Sequence, residues 1–76
     1  MDNGLEISRQ EVELGSHVKL VVQLKANNNR LFVDLRKWFQ FPNNTEYWPT
    51  KKGITLDMDQ WIRAIQIIQK IIEDGK

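Results

Sequence analysis

Cysteine is absent from this sequence, histidine occurs once, and there are only two prolines and four glycines in 76 residues. Without cysteine no disulfide can staple a small fold and no thiolate can ligate a metal. His17 has no cluster of ligand-type residues at metal-site spacing, so no metal is expected. Apolar runs fall short of the roughly 18 residues that a membrane helix needs. The acidic start of the chain does not read as a signal peptide, and a soluble intracellular protein, cytoplasmic or at the nucleoid, is expected. There is no Gly-x-x-x-x-Gly-Lys phosphate loop. No carboxylate pair sits beside a base and no nucleophile has a partner. Neither an enzyme nor a cofactor is therefore expected. The length allows one domain, residues 1–76, with 1–4 frayed. A chain this short buries only about 60% of its unfolded surface, so a lone copy is marginally stable.

Charge is present and unevenly placed. The net charge is +1. Residues 1–16 set Arg9 against Asp2, Glu6, Glu11 and Glu13. Residues 17–52 hold Lys19, Lys25, Arg30, Arg36, Lys37, Lys51 and Lys52 against Asp34 and Glu46. Residues 53–76 hold Arg63, Lys70 and Lys76 against Asp57, Asp59, Glu73 and Asp74. The near-neutral total thus hides a basic middle between acidic ends, and that middle also carries six of the seven aromatic residues. Cations fixed beside aromatic rings suit a flexible polyanion with stackable bases, above all single-stranded nucleic acid.

Leu5, Ile7, Val12 and Leu14 predict a first strand, with a bulge or bend where Arg9-Gln10-Glu11 breaks the alternation. Gly15-Ser16 reads as a turn. Val18, Leu20, Val22 and Leu24 alternate with Lys19, Val21, Gln23 and Lys25, which predicts a strand with one oily and one polar face. Ala26-Asn27-Asn28-Asn29 is turn chemistry. The third strand runs from Arg30 to about Phe39. Leu31, Val33 and Leu35 share one side of it; Arg30, Phe32, Asp34, Arg36 and Trp38 share the other. Residues 41–45 read as a loop and 47–50 as a short extended piece. Lys51-Lys52-Gly53 reads as a sharp basic turn before a last short strand, Gly53 to Leu56. Asp57 with Gln60 three residues on forms a capping box for a helix from Met58 to about Glu73, stopped at Gly75. Met58, Trp61, Ile65, Ile68 and Ile72 form its apolar stripe, widened by Ala64, Ile67 and Ile71. Packing on a sheet needs a stripe somewhat over 100° wide. The excess predicts a second copy of the chain on Ala64, Ile67, Ile68 and Ile71. Trp61 is expected in the core.

The order Phe32-Val33-Asp34-Leu35-Arg36-Lys37-Trp38-Phe39, then Pro42, then Lys51-Lys52-Gly53-Ile54-Thr55-Leu56, then Asp59-Gln60-Trp61 resembles the C-terminal domain of the transcriptional coactivator Positive Cofactor Four family. The match spans about Leu20 to Ile72. The resemblance implies an α+β fold: a four-stranded antiparallel curved sheet followed by one C-terminal α-helix, dimerising through the helices. It also implies a sheet surface that binds single-stranded DNA without sequence preference, in replication, recombination, repair or transcription. By position, Arg36 and Lys52 match phosphate-contacting residues, Arg30 matches the basic residue opening the third strand, and Phe39 matches a base-stacking tryptophan. The turn Asn27-Asn28-Asn29 departs from the aromatic and basic turn of the human-type family. The compact form suits a bacterial or phage member.

The nucleic-acid-binding set expected from both readings is Lys19, Lys25, Arg30, Phe32, Arg36, Trp38, Phe39, Trp48, Lys51 and Lys52. Asp34 is expected to orient the cations beside it, and Gly53 to serve a tight turn. Expected partners are single-stranded DNA, a second copy of the chain, and replication, recombination or transcription proteins. Two alternatives stand beside the main reading: a protein-interaction adaptor or coactivator for an acidic partner, and an RNA-binding regulator with the same surface.

Overall fold

The computed structural model describes residues 4–75. Strands β1 (Leu5–Glu13), β2 (Val18–Asn27), β3 (Arg30–Gln40) and β4 (Tyr47–Asp57) form one antiparallel sheet in chain order, and α1 (Met58–Asp74) follows directly. The fraying expected of residues 1–3 lies outside the described residues. Gly4 is not frayed. Its φ is 109°, and a Cβ there would stand 2.6 Å from the Ala26 carbonyl oxygen, so only glycine fits this approach.

The β2–β3 hairpin is tighter than expected. Asn28 and Asn29 have φ of 52° and 63°, the paired left-handed values of a two-residue primed turn. Ala26 and Asn27 therefore belong to the ladder, opposite Leu31 and Arg30.

The bulge in β1 falls between Glu6 and Ser8, not at Arg9-Gln10-Glu11. Its effect is on parity. In a regular strand Glu6 and Arg9, three apart, point to opposite faces. The extra residue Ile7 brings them to the same face, where Arg9 pairs with Glu6 at 2.9 Å.

The expected turn at Lys51-Lys52-Gly53 is strand instead. β4 is continuous over eleven residues, with a register shift opposite the Arg36–Trp38 segment. Pro49 is tolerated because β4 is an outer strand, where a missing N–H need break no ladder bond.

The helix begins as expected. Gln60 N donates to Asp57 Oδ1 at 2.8 Å, and Asp57 N donates to Gln60 Oε1 at 3.1 Å. It ends at Gly75, which keeps a right-handed φ of −83° and donates to the Ile71 carbonyl. Trp61 Nε1 donates to the Val33 carbonyl at 2.7 Å and ties the first turns to β3. Trp61, expected in the core, is only half-buried, and no helix residue is buried within one chain. Val22, Val33 and Leu35 of the sheet and Met58, Trp61, Ile62, Ile65 and Ile68 of the helix instead line an open apolar groove of about 440 Å³. No helix among the described residues is long and apolar enough to cross a membrane.

The fully buried apolar residue, Val21, lies on the opposite, polar face. Val21 lies between Glu11 of β1 and Arg36 of β3 in the ladders, and Arg9 of β1 reaches across β2 to within 4.9 Å of the Trp38 ring of β3.

Candidate nucleic-acid interface

Strand register assigns the polar face. Glu6, Arg9, Glu11 and Glu13 of β1 pair with Lys25, Gln23, Val21 and Lys19 of β2. These in turn pair with Phe32, Asp34, Arg36 and Trp38 of β3. Thr55 and Gly53 of β4 stand opposite Asp34 and Arg36. Of the ten sequence-selected residues, Lys19, Lys25, Phe32, Arg36 and Trp38 share this face. Arg30 closes the hairpin at its end, opposite Asn27. Lys51 and Lys52 lie exposed in the irregular part of β4.

Phe39 and Trp48 are not brought together with that set. They oppose each other across β3 and β4, and alternation turns Phe39 to the side of Leu35 and Val33. Phe39 meets Phe41 edge-on with ring centroids 5.5 Å apart, and Trp48 is half-exposed. These rings form a separate aromatic cluster at the end of the sheet.

Asp34 is the centre of the polar face and is 3% exposed. Arg36 grips it with two parallel bonds, Nε to Oδ2 at 3.0 Å and Nη2 to Oδ1 at 2.9 Å, and Thr55 Oγ1 donates to Oδ1 as well. Burial pushes the Asp34 carboxyl up, but the bonds from Arg36 and Thr55 outweigh it and hold the group below its usual range. Arg36 Nη1 donates to the Thr50 carbonyl at 2.9 Å. The guanidinium thus has its position fixed by three bonds, while two of its five N–H groups remain for a ligand. Asp34 orients Arg36 as expected.

Gly53 has a different role from the expected turn. Its φ is not left-handed. A Cβ there would stand 2.8 Å from Cβ, Cγ and Cζ of Arg36. The glycine leaves the space across which the Arg36 side chain lies.

Glu6, Arg9 and Glu11 escaped the sequence reading of the site. Arg9 Cζ lies 4.9 Å from the centroid of Trp38, held there by Glu6 and by Glu11 at 3.5 Å. Lys19 Nζ sits between Glu11 at 2.7 Å and the Tyr47 ring at 4.2 Å. Tyr47 therefore belongs to the face while its neighbour Trp48 does not. Glu6 also accepts from the buried Gln23 amide. The segment Glu6-x-x-Arg9-x-Glu11 held the signal, but the three share a face only once the bulge is known. The Trp38 Nε1–H is buried with no acceptor, and Arg30 lies 5.8 Å from the Phe32 ring.

The face is consequently less basic than its strands. Glu6, Glu11, Glu13 and Asp34 balance Arg9, Lys19, Lys25 and Arg36, four against four. Among the described residues of the sheet, Lys25, Arg30, Lys37, Lys51 and Lys52 have no carboxylate partner, and the excess positive charge therefore lies towards the hairpin and β4. Unpaired cations around Phe32 and the outer N–H groups of Arg36 can take phosphate oxygens, and the rings can take bases.

Comparison with known proteins agrees with this fold. A bacteriophage T5 homologue of the eukaryotic transcription coactivator PC4, implicated in recombination-dependent DNA replication, has a similar structure: the TM-score is 0.68 at 16% identity, over 91% of this chain and 82% of that one. No curated protein matches the sequence. The family model for transcriptional coactivator p15 (PC4) matches residues 16–66, which is two thirds of the chain and contains all ten candidate residues. The chain belongs to the transcriptional coactivator p15 (PC4) family.

Proposed function

We propose that this chain is a homodimeric single-stranded DNA-binding protein without sequence preference, acting in DNA replication or recombination, and that it binds rather than catalyses. The observation that carries the reading is the pair of cations beside Phe32, Lys25 and Arg30, together with the anchored Arg36 of the same strand as Phe32. Lys25, Arg30, Arg36, Lys51 and Lys52 take phosphates, and Lys19 joins when its carboxylate partner yields. Phe32 and Trp38 offer rings on the face, and Phe39 and Trp48 offer a second stacking surface to a strand that passes the end of the sheet. Family membership and the phage likeness support a role in DNA transactions.

The dimer reading rests on the apolar groove. Ile62, Ile65, Ile67, Ile68, Ile71 and Ile72 are all exposed in one chain. Covering about half of each side chain would contribute roughly 1 kcal/mol apiece. A second helix across Ala64, Ile67, Ile68 and Ile71 would extend the groove's apolar lining.

Tryptophan fluorescence titration with a 20-base single strand, its duplex and the matching RNA, across a salt series, tests the function. Tightest binding to the single DNA strand is expected. Arg30→Ala or Lys52→Ala should flatten the salt slope by about 0.7 for each phosphate that is no longer neutralised. No binding at low salt refutes the reading, and RNA preferred over DNA replaces it with the regulator. Sedimentation equilibrium tests the dimer: Ile68→Glu should give a monomer, and a wild-type monomer at high concentration refutes it.

A further inference from the structure

We propose that the carboxylates of β1, Glu6, Glu11 and Glu13, are selectivity determinants that exclude the second backbone of a duplex from the face. The inference rests on the single-strand reading above. Three observations carry it. Arg9, Glu11 and Glu13 alternate onto the polar face, and the bulge at Ile7 adds Glu6 to them, so β1 presents a row of acids there. Glu6 and Glu11 engage Arg9 and Lys19, at 2.9 and 2.7 Å, and withhold these two cations from phosphates on that side. On the far side of the sheet the cations without carboxylate partners are Arg30 of β3 and Lys51 and Lys52 of β4, while Lys25 stands on β2 opposite Glu6.

Dimensions give the consequence. Neighbouring strands are about 4.8 Å apart, so β1 lies about 10 Å from β3 and about 14 Å from β4. The major groove of a duplex is about 12 Å wide. When one backbone follows the cations of β3 and β4, the other reaches the acidic row of β1. A single strand has no second backbone and meets only the basic track. Glu6 and Glu11 remain ionised at neutral pH. The Gln23 amide and Arg9 hold Glu6 below the usual carboxylate range, and Lys19 does the same for Glu11.

The test compares affinities for a 20-base single strand and its duplex. In the variant Glu6→Gln/Glu11→Gln/Glu13→Gln, duplex affinity should rise about tenfold and single-strand affinity about threefold or less, since each exposed charge interaction is modest. The ratio of the two affinities is the readout. Glu46→Gln/Glu73→Gln/Asp74→Asn changes net charge equally away from the acidic row and should leave the ratio unmoved. Glu13→Gln alone breaks no ion pair and should shift the ratio in the same direction by a smaller amount, which covers the case in which the triple variant misfolds. An unchanged ratio in Glu13→Gln and in a folded triple variant overturns the proposal while the single-strand reading stands. An equal shift in the control overturns it too. Failure of the wild-type chain to bind either nucleic acid overturns both.

Discussion

Gly53→Ala places a methyl group where the Arg36 side chain now lies. The new carbon would stand 2.8 Å from Cβ, Cγ and Cζ of Arg36. Cβ and Cγ cannot retreat without moving β3, so the guanidinium must leave its seat. It then loses two bonds to Asp34 and one to the Thr50 carbonyl. Buried Asp34 keeps only the Thr55 hydroxyl. Bonds to charged groups contribute about 1.5–3 kcal/mol each, but these three share one partly exposed cation and are not additive. Against the loss, alanine gains roughly 0.4–1 kcal/mol by restricting the unfolded chain. A net destabilisation of about 2–3 kcal/mol follows. Urea unfolding monitored by tryptophan fluorescence, at fixed protein concentration, measures it. In an Arg36→Gly background, which removes Cβ together with the rest of the side chain, the obstacle is gone, and Gly53→Ala should be neutral or mildly stabilising. A cost below about 0.5 kcal/mol in the wild-type background, or equal costs in both, refutes the idea that glycine is there for arginine.

Asp34 predicts an acid limb of the stability curve. Its folded pKa is depressed, so its contribution is fully present above the ordinary carboxylate value near pH 4 and is lost as pH falls through the lower folded value. Asp34→Asn should flatten that limb in urea midpoints measured between about pH 5 and pH 2, and a limb of unchanged steepness would place the titration elsewhere. Asp57→Ala removes the acceptor for Gln60 N and should cost about 1 kcal/mol, seen as a lower melting temperature by circular dichroism. An unchanged melt would mean that the bond to Val33 from Trp61 holds the helix start unaided.

The clean alternation of Val18 to Lys25 and of Arg30 to Trp38 made the hairpin and its two faces readable. Asp57 and Gln60 made the helix start readable, because both rest on interactions within a few residues. The width of the isoleucine arc correctly announced a helix left uncovered within one chain. Other features depend on pairs far apart in sequence. Pro49 and Gly53 read locally as turn residues, yet one tolerates an outer edge and the other makes room for Arg36 from a neighbouring strand. The charge blocks read as a basic middle and acidic ends, but folding lays Glu6 and Glu11 against Arg9 and Lys19 on a shared face. Phe39 is selected on the family motif, although the alternation of β3 already turns it to the other side of the sheet from Arg36.

The one-residue bulge at Ile7 makes β1 sensitive to length more than to identity. Its exposed side chain is free to vary, so substitution by valine or threonine should pass almost unnoticed. Deleting it would rotate Leu5 and Glu6 by one face and part Glu6 from both Arg9 and Gln23. Along this strand, gain or loss of a single codon triplet would do more harm than most changes of letter.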